Sequence, residues 1–76
     1  MIYPIKIKSA KDVTHISEVI AKSGENITIT YQNITIDPRS VLGLFTIVGK
    51  NAHIVGPDHM SPEKFSRVLK QLGNAI

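Results

Sequence analysis

The sequence predicts a small α+β domain, with a four-stranded antiparallel sheet and helices on one face in the order β-α-β-β-α-β-α. Three observations predict it. Stretches in which Ile alternates with Lys or Thr have the period of half-buried strands. Between them lie segments whose apolar residues recur at helical spacing. The whole is 76 residues long without repeats, linkers or low-complexity tracts, which fits a single domain spanning residues 1–76 around one core.

The first strand is read over Ile2–Ser9, where Ile5 and Ile7 alternate with Lys6 and Lys8. Pro4 cannot donate to a ladder and suits the start of a strand or an edge. In the helix that follows, Ser9 or Asp12 serves as cap, Val13, Ile16 and Ile20 line one face, and Ser23-Gly24 closes it. Asn26–Tyr31 and Ile34–Ile36 alternate again, with the turn residues Gln32-Asn33 between them, so the pair reads as a hairpin. Ile27, Ile29 and Tyr31 fall on one face of it, Thr28 and Thr30 on the other.

Asp37-Pro38-Arg39-Ser40 reads as a helix start, with Asp37 as cap, Pro38 at the first helical position and Ser40 in the first turn. Val41-Leu42-Gly43-Leu44-Phe45 is apolar nearly all round, so this short helix is expected to be largely buried. Gly49-Lys50-Asn51 is a turn and Ala52–Val55 a short strand. Ser61-Pro62-Glu63 opens the last helix, Phe65, Val68, Leu69 and Leu72 mark its buried face, and Gly73 stops it.

Composition narrows the function classes. There is no Cys, which removes disulfides, thiolate metal sites and Cys nucleophiles together. Hydrophobic residues make up 42% of the chain, twelve of them Ile, enough for a core. No apolar run approaches the ~20 residues of a membrane span, and the N-terminus lacks the pattern of a signal peptide. The expected compartment is the cytoplasm, with no membrane partner. Nine Lys and Arg against six acids give a net charge of +3, but the basic residues are scattered and the four aromatics are dispersed. Nucleic-acid binders concentrate both, so no nucleic-acid partner is expected.

Motifs for chemistry are scarce. His15, His53 and His59 are spaced unlike any compact metal site, and no metal or cofactor is expected. No nucleophile elbow and no Gly-rich phosphate loop occurs, and the chain is not expected to be an enzyme. Ser40 stands out, because a phosphoserine at a helix start is favoured by the helix dipole and Arg39 is adjacent to pair with it. An unmodified first-turn Ser is the simpler reading of the same residue.

The element order and the string Arg39-Ser40-Val41-Leu42-Gly43-Leu44-Phe45 resemble the HPr family, the small histidine-containing phosphocarriers of the bacterial sugar phosphotransferase system. In that family a hairpin, here Asn26–Tyr31 with Ile34–Ile36, leads into a short helix opening with Lys or Arg, then Ser, an aliphatic residue, an apolar residue and Gly. The resemblance covers essentially the whole chain, more loosely in its last third. It implies an open-faced β-sandwich, four antiparallel strands covered by three helices. It also implies that Ser40 is a regulatory phosphorylation site, as in Gram-positive members, and that its helix belongs to a protein-docking surface.

The sequence departs from the family where the phosphoryl-accepting His should stand. In the same ungapped register that His position is occupied by Ser9, with Lys11 where the family has Arg and Asp12 where it has Pro. His15 lies six residues later, inside the helix, and is followed by Ile16-Ser17-Glu18. The expected function is therefore that of an HPr-like regulatory or protein-interaction module of a Gram-positive bacterium, not a phosphocarrier. It would be a monomer presenting Val41, Leu44 and Phe45 to a phosphotransferase-system enzyme, an HPr kinase or a transcription regulator, under the control of Ser40. The alternatives are a phosphocarrier using His15 and a structural relic without a partner.

Overall fold

Period-two alternation puts every second side chain of a strand on one face, and here that face is what the helices cover. The computed structural model describes residues 1–76 and contains four strands and three α-helices. They are β1 (Ile2–Lys6), α1 (Val13–Ser23), β2 (Thr28–Tyr31), β3 (Ile34–Ile36), α2 (Val41–Phe45), β4 (Asn51–Val55) and α3 (Pro62–Leu72). Short 3-10 turns at Ala10–Asp12 and Gly73–Ala75 precede α1 and follow α3.

The sheet is antiparallel throughout, in the order β1-β4-β2-β3. Pro4 lies on the edge strand β1 opposite His53, where its missing N–H can face away from the ladder. Ile5, Ile29, Ile36, Ala52 and Ile54 point under the helices and are buried. The other face carries Pro4, His53, Thr30 and Thr35 as one cross-strand row, open to solvent.

Two strands are shorter than their alternation predicts, for one reason. β1 stops at Lys6 because its partner β4 begins at Asn51, the residue opposite Lys6. β2 begins at Thr28 because β4 ends at Val55, opposite Thr28. Ile7 and Ile27 lie just outside the ladders yet are buried as the pattern requires.

α1 buries Val13, Ile16 and Ile20 as their spacing predicts, with Ser17 beside them; α3 buries Phe65, Val68 and Leu72, while Leu69 of the predicted face is half-buried. Gly24 ends α1 in the left-handed region, φ 72°, where glycine has no Cβ penalty. Ser61 caps α3, its hydroxyl oxygen accepting from the Lys64 N–H at 3.2 Å. Capping of α1 differs from expectation. Neither Ser9 nor Asp12 accepts from a helix N–H; the Ser9 hydroxyl donates to Asp12 Oδ2 at 2.9 Å, and the 3-10 turn leads the backbone into the helix.

α1 and α3 run antiparallel. The first turn of α1 meets the last turn of α3 through His15 and Gln71, and the segment after α1 meets the start of α3 through Glu25 and Lys64.

Candidate functional site

The helix of the segment Asp37–Phe45 starts three residues later in structure than its sequence reads, at Val41 after the cap Ser40. Asp37-Pro38-Arg39-Ser40 is a turn closed by the Ser40 N–H donating to the Asp37 carbonyl at 2.9 Å, with Pro38 at the second position, where its fixed φ fits. Asp37 is thus not the helix cap. Its Oδ1 accepts from the Arg39 N–H at 3.0 Å, and Ser40 is the N-cap of α2, accepting from the Gly43 N–H at 3.4 Å. The turn is anchored below by the buried Pro38 ring and by Ser17 of α1, whose hydroxyl donates to the Arg39 carbonyl at 3.1 Å.

α2 is not largely buried. Only Leu44 is fully buried, at 0% exposure, so it is not part of a docking surface as its apolar neighbourhood implied. A helix of five residues on the rim of one core can bury one side only, and Leu44 takes that side. Val41 is half-buried, Phe45 is exposed, and Leu42, which the docking expectation omitted, is 80% exposed. Gly43 is what lets α2 lie close to β3, since a Cβ there would stand 3.1 Å from Ile36 Cγ2. The exposed surface around Ser40 is therefore Leu42 and Phe45 with the outer part of Val41.

Arg39 sits beside Ser40 in sequence, but its guanidinium is engaged elsewhere. Nε donates to Asp37 Oδ1 at 3.2 Å and a terminal nitrogen to Oδ2 at 3.4 Å, both partners being about half exposed. These bonds hold the Asp37 carboxyl below its usual range, the side-chain bond first and the Arg39 backbone N–H second.

Ser9 occupies the start of the first helical segment. It is half-buried and extended in backbone, and its hydroxyl donates to the Asp12 carboxylate. A carboxylate within hydrogen-bond reach of that hydroxyl places negative charge where a phosphoryl group would have to sit. His15 is two residues from Ser17 and so about 200° away around the helix, on a different side from the α2 contact. Its Nε2 lies 2.8 Å from the Gln71 carbonyl oxygen, and since a carbonyl only accepts, that nitrogen carries the proton. No hydrogen bond links Ser9, His15 and Ser40, each of which is engaged with a different partner.

No family model matches the chain, and no curated protein matches it. Among solved structures it is similar to the crystal structure of HPr-C-His from Thermoanaerobacter tengcongensis, with a TM-score of 0.72 over 100% of this chain and 99% of that one, at 14% sequence identity. The likeness is one of fold, and the fold is HPr-like, an open-faced β-sandwich with three helices over a four-stranded antiparallel sheet. No helix is long and apolar enough to cross a membrane.

Proposed function

We propose that this chain is an HPr-like protein-docking module related to the phosphotransferase system that carries no phosphoryl group on histidine. The observation that carries the reading is the pairing of Ser9 with Asp12 at the start of the first helical segment. A phosphohistidine acceptor needs an imidazole nitrogen there, with N–H groups and a cation around it. This chain has a hydroxyl bonded to a carboxylate instead. His15, the other candidate acceptor, stands within α1 with its ring turned to the Gln71 carbonyl of α3, not at the start of the helical segment.

Docking is supported by Leu42 and Phe45, large apolar side chains exposed on α2 where most comparable residues of the chain are buried. Ser40, exposed between them and the turn, is the proposed control point. A phosphate on its hydroxyl adds about −1.5 to −2 charges beside this apolar surface. The partners are a phosphotransferase-system enzyme, an HPr kinase or a transcription regulator, met as a cytoplasmic monomer.

The test is direct. Incubation with ATP and an HPr kinase is expected to give acid-stable label that Ser40→Ala abolishes. Calorimetric titration against the first phosphotransferase enzyme is expected to give heat that Leu42→Ser or Phe45→Ser removes. Label unaffected by Ser40→Ala, or binding indifferent to both apolar substitutions, contradicts the proposal.

A further inference from the structure

A second feature lies on the opposite side of α1, remote from α2. The antiparallel pair α1 and α3 leaves a groove between its outer faces, with His15, Glu18 and Lys22 on one wall and Lys64, Arg67 and Gln71 on the other. Side-chain contacts tie the two helices together near either end of the groove. His15 reaches the Gln71 carbonyl at one end, and Lys64 Nζ meets Glu25 Oε1 at 3.1 Å at the other. Its floor is Val19 and Val68, half-buried and buried.

The wall chemistry is one-sided. Lys22 and Arg67 have no ion-pair partner, although each stands four residues after an acid on its own helix, Glu18 and Glu63, at a spacing that permits pairing. Lys64 is 40% exposed and has donors left beyond its one bond to Glu25. The Gln71 side-chain amide makes no bond within the protein. Glu18 is the one acid among the lining residues. Two unpaired cations and a partly engaged third thus stand around an apolar floor.

We propose that this groove binds the phosphate group of a small phosphorylated metabolite. Arg67 supplies a planar fork that matches two phosphate oxygens, and Lys22 and Lys64 add point charges from either wall. Glu18 accepts from a hydroxyl of the organic part, which distinguishes a hydroxylated ester from a bare oxyanion. Size selects a compact ligand. From His15 to Lys22 is seven helical steps, about 10 Å, and an extended peptide fills that length with about three residues.

The experiment is a titration of the full-length, isotope-labelled protein with glycerol 3-phosphate, followed by amide chemical shifts at low ionic strength. Saturable shifts confined to the amides of the groove are expected. Arg67→Gln is expected to weaken binding tenfold or more, Arg67→Lys less, and Glu18→Gln to reduce the preference for the ester over inorganic phosphate. Lys6→Gln, on β1, leaves binding unchanged. Arg67 is exposed, so its variants keep the dispersed spectrum of the folded protein. Shifts that never saturate, that spread over other faces, or that survive Arg67→Gln overturn the proposal. So does inorganic phosphate or sulfate binding as tightly as the ester. None of these outcomes bears on docking at α2.

Discussion

Ser17 shows how one polar residue on an apolar helix face can decide local structure. It lies among Val13, Ile16 and Ile20, is 8% exposed, and its hydroxyl donates to the carbonyl of Arg39. That bond ties the turn bearing Ser40 to α1. Ser17→Ala removes the donor and leaves the carbonyl short of a partner, which costs about 1–2 kcal/mol. In a domain of this size that is a fall in melting temperature of several degrees, about 4–8 °C per kcal/mol. Thermal unfolding followed by circular dichroism checks it.

Two carboxylates make stability depend on acid. Glu25 is held below its usual range chiefly by the hydrogen bond from Lys64, with further help from the Lys64 charge and from His59, whose ring nitrogen is 3.2 Å away. Asp37 is lowered by Arg39. A carboxyl with a depressed folded pKa binds fewer protons folded than unfolded. The stability it contributes is complete above the unfolded value, near 4 for such groups, and is lost as pH falls through the lower folded value. Chemical unfolding measured between neutral pH and the acid range is expected to show this loss. Glu25→Gln with Asp37→Asn flattens it, and an unchanged acid limb contradicts the assignment. Sequence alone does not reveal the Glu25 pair, because Glu25 meets Lys64 across thirty-nine residues of chain.

At the scale of elements, α2 sets the sharpest contrast between neighbouring residues. Leu44 is fully buried and Leu42 is 80% exposed, two positions apart on five residues of helix. Leu44→Ala is expected to cost about 2–5 kcal/mol, as buried leucines do, while Leu42→Ala changes stability by no more than about 0.5 kcal/mol. Denaturant titration of the two variants distinguishes them, and equal effects would contradict the placement of α2.

The same helix marks how far the sequence is readable. Long periodic elements are legible: α3 has its cap, Pro and apolar face where the pattern puts them, and Ile29, Ile36 and Ile54 are buried as alternation requires. Strand ends are not, because β1 and β2 are trimmed by the length of β4, which neither local pattern contains. Nor is the orientation of α2. With apolar residues all round, its composition gives no stripe to read, and contact with the core decides which residue turns inward.

At the scale of the whole molecule, the two edges of α1 are turned to different tasks. One carries Ser17 and supports the turn before α2; the other carries His15, Glu18 and Lys22 and forms a wall of the groove against α3. Between them the start of the helical segment is closed by Ser9 and Asp12, with no imidazole. The fold is HPr-like over the full length of the chain. The central claim is that the scaffold docks proteins without carrying phosphate on histidine. Incubation with labelled phosphoenolpyruvate and the first enzyme of the phosphotransferase system tests it most directly. The account predicts no acid-labile label on this chain. Acid-labile label that His15→Ala abolishes would contradict it.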